Sequence, residues 1–247
     1  MASEKIRLDK LLVERGIAMT REKARALILA KAVKINEIHV DKADTLVPSD
    51  AQVHVKGEDN PYISRGGLKL KGALELFGLD VEGLVAFDVG ASTGGFTDCL
   101  LQAGAAKVYA LDVNYGQLAW KLRQDKRVVV IERTNIRHYD GADIEERPDL
   151  ATVDVSFISL KVVLPAILRL LKDDARILAL IKPQFEAERE EIGKKGLVKN
   201  SAVQERVVLE ITDFCQKLNL QVEGTCSSPL LGPVGNKEFF ILARKNN

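Results

Sequence analysis

The sequence has few of the features that mark secreted, membrane or metal-binding chains. Among its 247 residues are only three cysteines (Cys99, Cys215 and Cys226), and their odd number and wide spacing predict neither a disulfide framework nor a zinc site. No run approaches the roughly 20 apolar residues that a membrane span needs. The N-terminal MASEKIRLDK has no apolar core of a signal peptide. We therefore expect a cytoplasmic protein that binds no membrane and no metal.

Net charge is also nearly absent. Lys plus Arg number 36 and Asp plus Glu number 35, so the chain carries +1 and its overall charge is no argument for nucleic acid. Local charge differs, because residues 5–34 hold nine bases and three acids, whereas residues 35–60 hold two bases and six acids. Hydrophobic residues make up 46% of the chain, which is enough for a folded core.

The first sixty residues form a small predicted α+β module. Leu8, Leu11 and Leu12 repeat at helical spacing, and Thr20 is placed to cap a second helix. Short alternating strands follow around Val33 and Val53. The segment IRLDKLLVERGIAMTREKARALILAKAVKINEIHV resembles the S4 domain, a module that binds folded RNA. That resemblance implies RNA contacts for a set of basic side chains, namely Arg7, Lys10, Arg21, Arg25, Lys31 and Lys34.

The remainder predicts one larger α/β domain. Gly, Asp, Asn and Pro gather in GEDNPYISRG (57–66), so we place the first domain at 1–60, a linker at 61–66 and the second domain at 67–247. Short apolar strands are expected at 84–89, 108–112, 128–131, 151–155, 177–181, 220–225 and 239–243. Helices are expected at 67–77, 96–103, 116–123, 159–172 and 201–218. The last strand follows a hairpin-like loop, which predicts a seven-stranded, Rossmann-like methyltransferase sheet whose final strand is antiparallel.

A glycine loop, FDVGASTGGFTDCLL (87–101), suggests the cofactor. Its G-x-x-x-G-G spacing is neither the dinucleotide fingerprint nor a Walker A loop. Asp88 would repel a pyrophosphate but suits an ammonium group, and Asp112 can accept hydrogen bonds from ribose hydroxyls. These features favour S-adenosylmethionine (SAM). The predicted cofactor-binding residues are Asp88, Gly90, Ala91, Ser92, Gly94, Gly95, Phe96, Asp112 and Asn135.

Four further residues suggest the chemistry, namely Lys69, Asp154, Lys182 and Glu238. Asp154 and Lys182 stand at the carboxyl ends of predicted strands, where ligands bind in open α/β sheets. Taken singly, Asp154 could cap a helix and Glu238 could be a surface charge. Together, two lysines and two carboxylates suit the methylation of a hydroxyl. A lysine can accept the hydroxyl proton when a second nearby cation disfavours its charged form.

The four residues resemble the Lys-Asp-Lys-Glu tetrad of FtsJ-type ribose 2′-O-methyltransferases. SRGGLKL, DVGASTGGFTD, ALDVNYGQL, DVSFISL, LIKPQFE and GPVGNKEFF occur in order after an S4-like module, which is the architecture of the TlyA family. The resemblance implies methylation of cytidine in ribosomal RNA. Lys182 would be the group nearest the 2′-OH, with Lys69 and Asp154 positioning it. Glu238 would orient the ribose, and Arg65 would hold a phosphate.

Three other functions stay open at this point. An RNA-binding ribosome-assembly factor could keep a degenerate SAM fold, and members of the TlyA family are often called hemolysins, which suggests a membrane-active protein. A nicotinamide-dependent dehydrogenase is disfavoured by the glycine spacing and by Asp88. The expected partners are ribosomal RNA or ribosomal subunits, and we expect a monomer.

Overall fold

The chain forms two compact units, Met1–Asn60 and Pro61–Asn247. The structure is a computed structural model, and it describes residues 5–15, 17–18, 20–36, 38–51, 53–55 and 60–246. The predicted division falls at the same position, although 57–59 of the predicted boundary segment lie outside the described residues. The segment 61–66 belongs to the second unit, because the helix expected from position 67 already begins at Arg65, capped by the side chain of Ser64.

The first unit combines two helices with two small sheets. Helices α1 (Leu8–Glu14) and α2 (Arg21–Leu29) lie between strands, and the Thr20 side chain caps α2 as predicted. Strand β1 (Lys5–Arg7) pairs antiparallel with β4 (Leu46–Pro48). Strand β2 (Val33–Ile35) pairs antiparallel with β3 (Ile38–His39) and β5 (Val53–Val55). The buried leucines of α1 and residues of α2, β2 and β4 form one small core, so the predicted α+β module is confirmed.

The second unit alternates strands and helices. Its strands are β6 (Val85–Val89), β7 (Lys107–Leu111), β8 (Val128–Ile131), β9 (Leu150–Val153), β10 (Arg176–Ile181), β11 (Leu220–Ser227) and β12 (Phe239–Lys245). Its helices are α3 (Arg65–Phe77), α4 (Gly95–Gln102), α5 (Trp120–Arg123), α6 (Leu160–Leu168), α7 (Pro183–Glu186) and α8 (Ser201–Lys217). All seven predicted strands are present.

The seven strands form one sheet in the order β11-β12-β10-β9-β6-β7-β8. Strands β10, β9, β6, β7 and β8 run parallel. Strand β12 runs antiparallel to both of its neighbours, β10 and β11. The predicted methyltransferase topology is therefore confirmed, and it places the start of β12 beside the end of β10, where Phe239 pairs with Ile181.

Helices cover both faces of this sheet. On β10, Ile177, Ala179 and Ile181 pack into one core, whereas Leu178 and Leu180 pack into the other. The first core is closed by α6 and α8, and the second by α3 and α4. A parallel strand covered on both sides is expected to read as a continuous apolar run, as β10 does. Within the described residues, no helix is both long enough and apolar enough to cross a membrane.

Two predicted helices are shorter in the structure. Only Trp120–Arg123 of the predicted 116–123 is helical, because the amide of Gly116 donates to the Glu132 carboxylate (2.9 Å) and keeps this segment as a loop. The helix predicted to reach position 172 ends at Leu168, since the amide of Lys172 donates to the carbonyl of Pro148 instead (3.1 Å). Neither difference moves a predicted tetrad residue.

Candidate active site

Three of the four tetrad residues lie next to strand ends. Asp154 directly follows β9, Lys182 directly follows β10, and Glu238 directly precedes β12. Because β12 is antiparallel to β10, its first residues lie at the edge where the parallel strands end. Lys69 comes from the second turn of α3, which packs on the same side as α4. The fold therefore brings together the four residues that the sequence analysis selected.

The tetrad consists of two lysine–carboxylate pairs. Lys69 Nζ lies 2.6 Å from Glu238 Oε2, and Lys182 Nζ lies 2.6 Å from Asp154 Oδ1. The Lys69 and Glu238 side chains are only 9% and 0% exposed, and those of Lys182 and Asp154 are 11% and 24% exposed. Lys182 Nζ also donates to Ser156 Oγ at 3.0 Å. Burying charged groups costs free energy even when they are paired. Buried ion pairs of this kind are therefore typical of functional sites.

All four tetrad side chains line one cavity of about 700 Å³, which we call the tetrad cavity. Two buried acceptor atoms in its wall, Glu238 Oε1 and Gln184 Oε1, have no hydrogen-bond partner within the described part of the chain. Asp154 Oδ1 is close to Lys182 but at an angle unsuited to a hydrogen bond. Buried acceptors left unpaired are rare in folded proteins, and here a bound ligand can supply the missing donors.

An aromatic pair lies at the edge of the tetrad cavity, and the sequence analysis missed it. Phe157 is 90% exposed and has φ of +63°, a left-handed conformation that is strained for a bulky residue. Its ring lies 5.0 Å from that of Phe185, and Lys182 Nζ lies 5.8 Å from the Phe185 ring centre. The only signal in the sequence is that each phenylalanine is three residues from a tetrad member.

A second cavity of about 540 Å³ adjoins the first, and we call it the Asp112 cavity. Gly90, Ser92 and Asp154 line both cavities. The Asp112 carboxylate is held by the amides of Ser92 (2.8 Å) and Asn114 (2.8 Å). The volume is in the range of ordinary ligand pockets.

The walls of the Asp112 cavity suit a nucleoside. A carboxylate of fixed orientation can accept hydrogen bonds from ribose hydroxyls, and apolar side chains such as Ile136 and Ile158 can contact a base. The predicted residue Asn135 also lines this cavity, but its Oδ1 accepts from the amide of Arg137 (3.1 Å) and caps a short turn. The residues present therefore fit the nucleoside part of SAM.

Glycines bring the loop before α4 close to its neighbours. Gly90 has φ of +89°, and a Cβ there would lie 2.5 Å from the carbonyl oxygen of Asp154. A Cβ on Gly95 would lie 2.1 Å from Ser64 Oγ, and one on Gly94 would lie 2.1 Å from Leu122. Gly90 and Gly95 line the tetrad cavity together with the predicted residues Ala91, Ser92 and Phe96. Gly94 lines neither cavity, so its role is close packing against α5.

Asp88 lies in a strand as predicted, but its carboxylate does not face the site where the sequence predicted contact with the cofactor's ammonium group. Its carboxylate is completely buried, lines neither cavity, and accepts hydrogen bonds from Thr97 Oγ1 (2.6 Å) and Thr152 Oγ1 (3.2 Å). Burial raises the pKa of Asp88 to about 7, against the lowering effect of the two hydroxyls. The geometry therefore assigns Asp88 to support of the glycine loop rather than to contact with the cofactor's ammonium group.

In the first unit, three of the predicted RNA-binding arginines surround one buried carboxylate. Asp9 is 0% exposed and lies 3.1 Å from Arg7, 2.9 Å from Arg21 and 3.3 Å from Arg25. The hydrogen bond from Arg7, with those of the other two arginines, holds the pKa of Asp9 well below its usual range. The arginine side chains remain about half exposed, so Asp9 orders three cations that still face solvent.

The other predicted RNA-binding residues are dispersed. Lys10 forms an exposed pair with Glu14 (3.4 Å), Lys31 is exposed at the end of α2, and Lys34 is on β2. Arg65 belongs to the second unit and lines the tetrad cavity, where it donates to the carbonyl of Leu231 (3.5 Å).

Comparison with known proteins agrees with this geometry. Residues 62–245 match the FtsJ-like methyltransferase family, and residues 6–53 match the S4 domain. YqxC of Bacillus subtilis (strain 168), described as a candidate rRNA methyltransferase, is 50% identical over 98% of this chain and 86% of its own. The 16S/23S rRNA (cytidine-2′-O)-methyltransferase TlyA of Mycobacterium tuberculosis (strain ATCC 25618 / H37Rv) is 45% identical over 98% of this chain and 91% of its own.

A solved structure agrees as well. A candidate hemolysin from Streptococcus thermophilus is 44% identical, covers 100% of this chain and 90% of its own, and superposes with a TM-score of 0.79. Family match, identity and fold lead to the same conclusion: the chain belongs to the FtsJ-like methyltransferase family, in its TlyA-type branch with an N-terminal S4 domain.

Proposed function

We propose that this enzyme transfers the methyl group of SAM to the ribose 2′-oxygen of a cytidine in ribosomal RNA, and that the S4 unit binds the folded RNA. The observation that supports this most strongly is the tetrad cavity, where two lysines are each paired with a carboxylate. The cytidine and the ribosomal RNA come from the name of the M. tuberculosis relative. With this substrate, the enzyme acts in the cytoplasm, and we propose that it does so as a monomer.

The tetrad provides separate groups for the proton and for the ribose. Transfer forms an oxygen–carbon bond, breaks the sulfur–methyl bond and releases the hydroxyl proton. Lys182, fixed by Asp154 and Ser156, is placed to receive that proton at Nζ when its side chain is in the neutral amine form. Lys69 holds one oxygen of Glu238, which leaves Oε1 free to accept a hydrogen bond from a ribose hydroxyl.

The cofactor supplies an activated methyl group when it is bound, and the chain supplies orientation. The Asp112 cavity holds the nucleoside, and the two cavities share Gly90, where only glycine allows the close approach to Asp154. Holding two reactants in line contributes much of the rate in such transfers. Phe157 lines both cavities, and its exposed ring offers a face on which a nucleobase can stack.

The test is methyl transfer from labelled SAM to ribosomal subunits from a strain that lacks this gene. Wild type and Lys182→Ala are compared with Lys126→Ala, which changes an exposed lysine outside both cavities. Nuclease digestion and mass spectrometry identify the product. We expect 2′-O-methylcytidine with wild type and with the control, and a loss of at least about a hundredfold in rate with Lys182→Ala.

Other outcomes would support other functions. Label on a base atom, or full activity of Lys182→Ala, would contradict the proposed use of the tetrad. Binding of SAM and RNA without turnover would favour the ribosome-assembly factor. The S. thermophilus relative is described as a candidate hemolysin, so release of dye from liposomes at physiological salt, together with no methyl transfer, would support the membrane-active function instead.

A further inference from the structure

The tetrad cavity contains more positive charge than its two carboxylates neutralise. Lys69 and Lys182 are each paired with a carboxylate. Two further cations line the same cavity, Arg65 and Lys195. Neither forms an ion pair with an acidic residue in the part of the chain that the structure describes. The cavity therefore carries a surplus of two positive charges with both tetrad lysines charged, and of one when Lys182 is neutral. Such a surplus beside a ligand site favours an anion.

Lys195 reaches the cavity through a strained and specifically anchored backbone. It lies in what we call the basic loop, residues 193–199, and its φ is +63°, a left-handed conformation unusual for lysine. The loop closes on itself, because the amide of Gly193 donates to the carbonyl of Leu197 (2.9 Å). Strain of this kind persists only where surrounding contacts enforce it.

Those contacts come from Asn236, which is 1% exposed. Its Nδ2 donates to the carbonyl of Gly196 (2.8 Å), and its Oδ1 accepts from the amide of Val198 (2.9 Å). One side chain thus fixes two backbone groups in the three residues after Lys195. Asn236 is also two residues from Glu238, so the basic loop is tied directly to the segment that supplies the tetrad carboxylate.

We propose that Lys195 binds a phosphodiester of the target RNA strand beside the methylated ribose, and that Asn236 positions it there. This rests on the proposed function. A ribose within an RNA strand has one phosphate on each side, and the two surplus cations, Arg65 from α3 and Lys195 from the basic loop, lie on different segments of the cavity wall. Phosphate contacts fix the register of a nucleic acid and raise affinity irrespective of sequence.

The chain offers a matched control, because the neighbouring Lys194 is also exposed but does not line the cavity. Full-length wild type, Lys195→Ala, Lys195→Arg and Lys194→Ala are compared in steady-state methylation of RNA at several salt concentrations. Their SAM dissociation constants are measured by calorimetry without RNA. For Lys195→Ala we expect an increase of about tenfold in KM for RNA, a change in kcat of less than about twofold, and unchanged SAM affinity.

The salt dependence gives a second readout. Loss of one phosphate contact should reduce the slope of log affinity against log salt by about 0.7 to 0.9. Lys195→Arg should restore the KM, and Lys194→Ala should match wild type within about twofold. Asn236→Ala should raise the KM as Lys195→Ala does, and combining the two should add little, because the first acts through the second.

Three results would overturn the inference. Equal effects of Lys195→Ala and Lys194→Ala would show that the contact is not specific to the cavity. A weaker SAM dissociation constant with an unchanged KM for RNA would show that the anion is the cofactor's carboxylate. Additive effects of Lys195→Ala and Asn236→Ala would show that Asn236 does not act through Lys195. Failure of wild type to methylate any RNA would instead refute the proposed function.

Discussion

Asp88 makes the methyltransferase unit less stable as the pH rises. Its ordinary pKa is 3.8, and burial raises it to about 7 in the folded protein. Between these two values the unfolded chain has released the proton while the folded chain retains it. The folded state then binds more protons, so the free energy of unfolding falls as pH rises through this window and is level again above about 7. A pKa difference of about 3 corresponds to about 4 kcal/mol.

Asp88→Asn isolates this contribution, because an amide cannot ionise, while its oxygen can accept from one threonine hydroxyl and its NH2 group can donate to the other. Urea unfolding of both proteins is followed between about pH 4 and pH 8 by circular dichroism and by the fluorescence of Trp120, the one tryptophan in the chain. We expect the stability of Asp88→Asn relative to wild type to increase by about 4 kcal/mol across this range. A difference that does not change with pH would refute the reasoning.

The same variant tests whether Asp88 supports the glycine loop or contacts the cofactor. Asp88 lines neither cavity, so Asp88→Asn should bind SAM within about threefold of wild type. Asp112→Asn alters a carboxylate in the cavity wall and should weaken SAM binding by about tenfold or more. If calorimetry shows that Asp88→Asn is the more damaging of the two, then the direct contact expected from the sequence is right and the assignment made from the structure is wrong.

Three further predictions concern stability and binding. Lys69→Met leaves a buried carboxylate unpaired and should cost about 3–5 kcal/mol in the free energy of unfolding, whereas Lys71→Met on the exposed face of α3 should cost under about 0.5 kcal/mol. Gly90→Ala forces a Cβ against the backbone of Asp154 and should abolish SAM binding in calorimetry, without preventing folding as judged by circular dichroism. Asp9→Asn should destabilise the S4 unit at pH 7. Because the pKa of Asp9 is lowered on folding, this loss of stability should become smaller below about pH 4. Urea unfolding of the variant and the wild type at pH 7 and below pH 4 measures the difference.

The parts of the fold that local patterns specify could be predicted from the sequence. The apolar runs gave all seven strands, and the reversed final strand placed Glu238 at the same edge as Asp154 and Lys182. These side chains follow or precede a strand directly, so no long-range information was needed to locate them. The rule that functional side chains directly follow or precede a strand does not apply to Asp88, which lies inside β6. Strand alternation turns its carboxylate towards Thr97 of α4 and away from the edge.

Contacts between segments that are far apart along the chain could not be predicted from the sequence. The hydrogen bonds of Asn236 to the basic loop join residues 38 and 40 positions apart, and nothing in the spacing of GNKE or GKKG indicates them. Arg7, Arg21 and Arg25 were predicted as members of one set of RNA contacts, but the sequence did not indicate that all three surround one carboxylate, Asp9. In both cases the residue that organises the basic group is buried and polar, and a pattern of apolar residues does not reveal it.

The pairing within the tetrad determines the roles of its members more than their identity does. The sequence identified two lysines and two carboxylates but not which lysine pairs with which carboxylate, since Lys69 and Glu238 are 169 positions apart. With Glu238 held by Lys69 and one of its oxygens unpartnered, that pair can bind the ribose. In the proposed mechanism, Lys182, held by Asp154 and Ser156 at the boundary with the Asp112 cavity, then serves as the base. The opposite pairing of the same four residues would reverse these roles, so variants of Lys69 should affect the binding of RNA and variants of Lys182 the transfer step.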